Sequence, residues 1–293
     1  MNTNKLLTDL TNNKKIEVNG GLHIVSTPIG NRYDITFRAF YILSKSEVIV
    51  CEDTRVTKRL FSLLNINIIK KKWISYNDHN ASSKINFIKN ELTKNKVVAL
   101  VSDAGTPLLS DPGYKLVQEV IKSKFQIFPI PGPSAITTAL TISGAKTDSF
   151  LFLGFLSKNK NKYLQTLQKY SDLKVTLIIF ETTKRLKYLI SNIFIEYKKA
   201  KIMVTRELTK VHEEVIHVDI TNFEKYIKSD FNFKGEITIV LELNNDKKEK
   251  IFSNSYLLKE LEKLKPSQVA SMLAKSSNQS RDEIYKRCIA LIK

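Results

Sequence analysis

The sequence predicts an α/β protein with a mainly parallel sheet in its N-terminal half, a mixed sheet in its C-terminal half and a small helical extension. Three observations carry that reading. Between residues 22 and 130, short β-branched runs alternate with amphipathic stretches, as in parallel strands joined by crossover helices. Between 150 and 243, five strand-like runs are separated by only three helical stretches, so some neighbours must be antiparallel. After Leu243 the charged linker "NNDKKEK" leads into sequence with helical periodicity alone.

Taken in order, residues 1–20 form a polar tail without the apolar segment or small-residue cleavage site of a leader, which points to the cytoplasm. Strands are expected at "LHIVSTP" (22–28), "EVIVCE" (47–52), "NIIKKKWIS" (67–75), "VVALVS" (97–102) and "QIFPI" (126–130). Helices are expected from about Ile35, from Thr54, near 82–92 and from Tyr114. Asp34 is placed to cap the first, with Phe37, Phe40 and Leu43 at helical spacing. The rigid "PIPGPSA" marks a boundary between an N-terminal α/β domain (21–132) and a C-terminal α/β domain (133–245). In the latter, "KIMVTRE" (201–207) and "EEVIHVDI" (213–220) read as a hairpin, beside strands at 150–155, 175–181 and 236–243. Residues 246–293 form a linker and a basic extension of two short helices. The second opens on a capping box, Ser280 with Glu283, and aligns Ile284, Cys288, Ile289 and Ile292 on one face.

The chain has 293 residues and a net charge of +18, which suits a polyanionic partner, with nucleic acid first and membrane surface second. Lys supplies most of that charge, as codon bias alone would also produce. Arg is scarce, yet Arg32, Arg55, Arg185 and Arg206 each follow a strand-like run, where a planar fork can hold phosphate or carboxylate or form a structural ion pair. The longest apolar runs, such as "VTLIIF" (175–180), are far shorter than the roughly 20 residues that span a bilayer. Two distant cysteines, Cys51 and Cys288, provide neither metal spacing nor a disulfide framework.

Ligands of open α/β sheets sit beyond the carboxyl ends of the strands. That rule selects the turns "TPIGNRYD" (27–34), "CEDTR" (51–55), "SYNDHN" (75–80) and "SDAGTPLLSDPG" (102–113). No GxxxxGK[ST] occurs, and the first turn has one glycine where a dinucleotide fingerprint needs three. Asp103 and Asp111 make the long turn acidic, so it suits a cationic or hydroxyl-rich small molecule, or the two carboxylates cap the turn. Asp78 beside His79 suggests acid–base work, an RNA contact from His79, or a polar cap for the next helix. His23, His212 and His217 lie in or beside apolar strands and read as structural, as do Trp73 and Tyr76. No metal-ligand cluster is expected.

In series, "TPIGNRYDITFRA", "CEDTRVTKRL", "VSDAGTPLLSDPG", "PIPGPSA", "FETTKRL", "VTRELTK" and "GEITIVLE" resemble the tetrapyrrole (corrin/porphyrin) methylase superfamily. Within it the chain is most similar to the members that methylate the 2'-hydroxyl of a decoding-centre cytidine in 16S rRNA. The resemblance runs from about Gly20 to the C-terminus. It implies the two-domain class III methyltransferase fold, S-adenosylmethionine bound between the domains, a homodimer, and 16S rRNA as partner, within the 30S subunit. By this resemblance Gly105, Thr106, Pro107, Leu108 and Leu109 wrap the methionine part of the donor, and Ser134 and Ala135 make a second contact. Phe180, Glu181, Leu208, Gly235, Glu236 and Ile237 lie on the adenosine side, and Ile29 and Gly30 stand near the transfer centre. Tetrapyrrole-methylating members carry an Asp where Thr106 stands here, so a carboxylate contact is missing from that position.

A ribose hydroxyl is a poor nucleophile, so in-line positioning should be joined by a base. Asp53, Asp78 and His79 are the candidates for that base, with Arg32 and Arg55 on flanking phosphates. Lys275, Arg281, Lys286 and Arg287 make the terminal helices a supplementary RNA contact or, alternatively, a basic lid. Two other functions fit the same composition: methylation of a tetrapyrrole precursor, and a catalytically silent RNA-binding assembly protein. Donor binding separates the last from both enzymes.

Overall fold

The computed structural model describes residues 18–77, 79–222, 235–243, 252–274 and 280–292. Its first sheet is built from β1 (Gly21–Val25), β2 (Val48–Cys51), β3 (Lys72–Ser75), β4 (Val97–Val101) and β5 (Ile127–Ile130). The strand order is β3-β2-β4-β1-β5, with every pair parallel. Each residue of β2 and β4 is buried, as expected of central strands covered on both faces. The crossovers are α1 (Phe37–Lys45), α2 (Thr54–Leu63), α3 (Ala81–Thr93) and α4 (Tyr114–Lys122). Val48 and Val50 of β2 join one apolar core, and Ile49 and Cys51 join the other, on the opposite face. β1 and β4 are neighbours whose connections leave in opposite directions, so their carboxyl ends open a crevice of the kind in which such sheets bind ligands.

The second sheet, β6 (Phe150–Phe155), β7 (Thr176–Thr182), β8 (Lys201–Arg206), β9 (Glu214–Val218) and β10 (Glu236–Glu242), has the order β6-β7-β10-β8-β9. Only β6 and β7 are parallel, and β8 and β9 form the expected hairpin. One face carries α6 (Lys160–Ser171) and α7 (Thr183–Glu196), packed on Leu177, Ile179 and Ile239. The other face packs Ile178, Met203 and Val240 against Ile136 and Leu140 of α5 (Ala135–Ile142). Ile29, from the turn after β1, enters the same cluster, so this apolar core joins the two sheets. At the C-terminus, α8 (Asn254–Leu261), α9 (Pro266–Ala274) and α10 (Arg281–Ile292) close on their own core of Leu257, Val269, Leu273, Ile284 and Cys288.

Several local expectations change. β3 begins only at Lys72, because the Asn67 side chain accepts from the Ile69 amide (2.8 Å) and Lys70 is left-handed (φ 66°), which makes 67–71 a turn. Thr36, not Asp34, caps α1, accepting from the Ala39 amide at 3.1 Å, while Asp34 closes the preceding 3-10 turn. His212 and His217 are exposed, whereas His23 is buried and stacked on Phe128. α8 adds a third helix to the extension, and Ile292 faces out while Ile284 and Cys288 are buried. The Ser280–Glu283 capping box is reciprocal, at 2.8 and 3.2 Å. Both cysteines are free and buried.

Glu91 near the end of α3 is 1% exposed and gathers Lys72 (3.0 Å), Lys94 (3.2 Å) and Lys96 (2.6 Å), fastening the helix to the starts of β3 and β4. Hydrogen bonds from Lys96 and then Lys72 hold its carboxyl at about 2, against the opposing effect of burial. A depressed carboxyl stabilises the fold above its ordinary 4.5, and that stabilisation is lost as pH falls toward 2. Glu91→Gln therefore lowers the urea midpoint at neutral pH, and its deficit relative to wild type shrinks as the medium is acidified through that range. A deficit that does not change with pH would contradict the assignment.

Candidate active site

After β4 the chain turns back instead of entering a helix directly. Gly105 (φ 77°) lets its backbone lie against the end of β1: the Thr27 amide donates to the Gly105 carbonyl at 2.9 Å, and the Gly105 amide donates to the Thr27 carbonyl at 3.1 Å. The Thr27 hydroxyl donates to the Ser102 carbonyl at 3.3 Å. Thr106 fixes the next step, with its hydroxyl 3.0 Å from the Ser26 hydroxyl and donating to the Pro133 carbonyl at 3.0 Å. The position that could have supplied a carboxylate is thus a bracket between three segments. Beyond it, Leu108 (φ 73°) and Ser110 (φ 71°) are left-handed without being glycine, a strained conformation that the surrounding packing must hold.

This turn forms one wall of a cleft of about 600 Å³ between the two sheets. Of the expected donor-site residues, Ile29, Gly105, Thr106, Leu109, Ser134 and Ala135 line it from one side. Phe180, Glu181, Gly235, Glu236 and Ile237 line it from the other. Four expected residues support the cleft from outside its lining. Pro107 is buried, Leu108 packs in the core beneath the turn, and Leu208 is buried in the cluster that joins the sheets. Gly30 is where the halves touch: a Cβ there would meet the Leu208 carbonyl at 2.8 Å and the Thr209 hydroxyl at 2.7 Å. The next amide, Asn31, donates to that hydroxyl at 3.0 Å.

Asp103 and Asp111, read from sequence either as the acidic part of a site for a cationic ligand or as turn caps, both line the cleft. Sequence reasoning missed other lining residues: Lys184 and Thr182–Thr183 sit where β7 runs straight into α7. Phe155 is 58% exposed at the end of β6 and meets Phe180 edge-on, with ring centroids 5.7 Å apart. An exposed aromatic ending a strand run was the available signal.

Asp53 caps α2, accepting from the Arg55 amide at 2.8 Å, and its other oxygen pairs with the Arg55 guanidinium at 2.7 Å. The side-chain and backbone bonds from Arg55 hold the Asp53 carboxyl at about 2. His79 is exposed, its amide donating to the Asn77 side chain at 3.1 Å, and Asp78 lies outside the described residues. Neither Asp53 nor His79 lines the cleft. Among the described residues, the cleft is lined by the carboxylates Asp103, Asp111, Glu181 and Glu236 and by the cation Lys184, with Arg185 paired to Glu181 and Lys210 paired to Glu236 at 3.0 Å. Burial first, and then the negative charge of Glu52, raises the Asp111 carboxyl to about 6.

Of the four arginines at strand ends, three are in ion pairs: Arg55 with Asp53, Arg185 with Glu181 at 3.3 Å, and Arg206 with Glu214 at 2.7 Å. Arg32 is exposed and lies over the ring of Tyr33, 5.0 Å from its centroid. In the terminal helices Arg287 donates to the Phe252 carbonyl and the Asn254 side chain, and Arg281 to the Ser271 hydroxyl. These two hold the helices together, while Lys286 is exposed and Lys275 lies outside the described residues.

Residues 21–224 match the family model of tetrapyrrole (corrin/porphyrin) methylases. The chain belongs to this family. Among its relatives, a ribosomal RNA small subunit methyltransferase I of Halalkalibacterium halodurans is 39% identical over 78% of this chain and 78% of its own. The protein of that name from Rickettsia prowazekii is 41% identical over 76% of this chain and 79% of its own, and that from Mesorhizobium japonicum 36% over 92% of each. Two solved structures share the methylase fold at 15% identity. Cobalt precorrin-4 methyltransferase has a TM-score of 0.55 over 75% of this chain and 93% of its own. Diphthine synthase has a TM-score of 0.58 over 75% and 89%.

The donor of this family is S-adenosylmethionine. An acidic cleft with an apolar aromatic wall fits a sulfonium cation joined to a flat purine. Gly30→Ala forces the first turn away from the Leu208 carbonyl, which cannot swing aside as a side chain can. Calorimetry is expected to show S-adenosylmethionine affinity reduced by about tenfold or more, with the circular dichroism spectrum unchanged. Unaltered affinity would show that this contact does not shape the cleft.

Proposed function

We propose that this methylase transfers a methyl group from S-adenosylmethionine to the 2'-hydroxyl of a decoding-centre cytidine in the small-subunit ribosomal RNA. The observation that carries the reading is the acidic cleft formed jointly by the 102–113 turn, Ser134–Ile136 and the ends of β7 and β10. S-adenosylmethionine brings an electrophilic methyl group on a cationic sulfur. The chain's own part is to surround that cation with carboxylates and carbonyls, to set Phe155 and Phe180 against the adenine, and to exclude water.

The relatives' shared name, with coverage of most of the chain, supports ribosomal RNA over a tetrapyrrole as acceptor. A net charge of +18 supports it too, since it draws the protein to phosphate. Assembled 30S subunits are taken as the substrate and a homodimer as the working form. The exposed Arg32–Tyr33 pair at the cleft's first turn suits a phosphate and an unstacked base beside the target.

Labelled methyl transfer to unmodified 30S subunits, followed by nucleoside analysis, tests the proposal. Label in 2'-O-methylcytidine is the expected result. Donor binding without label in RNA would contradict it and turn the search to tetrapyrroles. Arg32→Ala is expected to raise KM for 30S subunits about three- to tenfold and weaken its salt dependence, with donor affinity unchanged. Unchanged KM would remove Arg32 from the RNA path.

A further inference from the structure

We infer that Asp111 is the catalytic residue that accepts the acceptor hydroxyl's proton, in place of the carboxylates nearer the ends of β2 and β3. The inference deepens the proposed function and rests on it. Asp111 lines the cleft, half-buried, and follows the left-handed Leu108 and Ser110 that turn the chain back toward the second sheet. At Gly154 the second sheet comes close to the same segment, since a Cβ there would meet the Ser110 hydroxyl at 3.1 Å. The second sheet therefore approaches the turn at the residue before Asp111.

Three other carboxylates near the cleft are engaged. Asp53 caps a helix and pairs with Arg55, and Asp103 accepts from the Asp53 amide at 3.1 Å. Glu181 is buried, accepts from the Thr182 amide at 2.7 Å and pairs with Arg185. The groups facing Asp111 are Glu52 after β2, Asp103 in its own turn and Glu236 opening β10, all negative, with the Ser102 hydroxyl opposing them. Lys184 is a cation on the same cleft. A carboxyl raised to about 6 by burial and these charges is mostly ionised at neutral pH, yet is a better proton acceptor than the tightly paired Asp53.

The step balances without a further reactant. The ribose oxygen forms its bond to the methyl carbon while the carbon–sulfur bond breaks, and sulfur keeps that electron pair and becomes neutral. The hydroxyl proton passes to Asp111 and afterwards to solvent. The neighbouring sulfonium favours the ionised carboxylate, so the donor complex titrates at or below the value of the empty site.

The test compares wild type, Asp111→Asn and Asp111→Glu in single-turnover transfer to unmodified 30S subunits from about pH 5 to about pH 8. Calorimetry with S-adenosylmethionine and with S-adenosylhomocysteine accompanies it. The wild-type rate should rise with pH through an inflection at or below about 6, then level off. Asp111→Asn should lose about 10²-fold or more in rate and lose that acid limb, with KM for 30S and S-adenosylhomocysteine affinity within about threefold of wild type. Asp111→Glu should recover part of the rate and the limb. S-adenosylmethionine should release protons on binding to wild type near pH 6, more than S-adenosylhomocysteine does, and Asp111→Asn should abolish the difference.

A rate for Asp111→Asn within about threefold of wild type would overturn the inference. So would a fall in S-adenosylhomocysteine affinity that matches the fall in rate, which marks damage to the cleft and not the loss of a proton acceptor. Wild-type protein that binds donor and methylates no RNA would overturn the functional reading itself, and it is recognised before any variant is compared.

Discussion

The site depends on a pair of backbone hydrogen bonds between Thr27 and Gly105, where the turn after β4 lies against the end of β1. Two parallel strands cannot exchange such an antiparallel pair unless one chain reverses beyond its end. Gly105 supplies the left-handed residue that the reversal needs. Thr106 then ties the turn to Ser26 and to the Pro133 carbonyl, so one short segment fixes the ends of β1 and β4 and the entrance to α5 together. Ile29 and α5 in turn share an apolar core with the second sheet. The position of one half against the other thus follows from how a single turn is pinned.

That arrangement places an acidic interior inside a strongly basic protein. The chain carries +18 overall, while its cleft presents four carboxylates against Lys184. The two charges address different molecules. Long-range positive potential gathers a polyanion at the surface, and the local negative lining favours a small cation that displaces water within the cleft. A phosphate-binding loop would invert the local sign, and the first and fourth turns of this sheet contain none of its features.

Most of the architecture was legible because it is written in short-range pattern. The β-branched runs at 47–52 and 97–102 could only be buried strands, and the hairpin at 201–220 followed from two strand runs joined by five residues. The serial motifs that resemble the methylase family gave the expected donor-side residues, eleven of which line the cleft. Local chemistry misled where one side chain redirected the backbone: Asn67 converted the start of an expected strand into a turn, and Thr36 outcompeted Asp34 as a cap. Roles assigned to charged residues were the least legible. Whether Arg55 meets a phosphate or Asp53, and whether Asp111 caps a turn or faces a cavity, depends on partners brought together from distant sequence. Arg281 and Arg287 show the same thing, holding helices together where sequence gave only their charge.

The most direct measurement of the central claim is hydrogen–deuterium exchange with and without S-adenosylmethionine. If the pinned turn and the second sheet jointly seat the donor, protection appears in peptides covering 103–111, 134–136, 180–184 and 235–238, and appears in all of them at the same donor concentration. Protection absent from the 103–111 peptide, or concentrated instead around the separate cavity at Ser143–Ala145 and Lys201–Met203, would contradict the account.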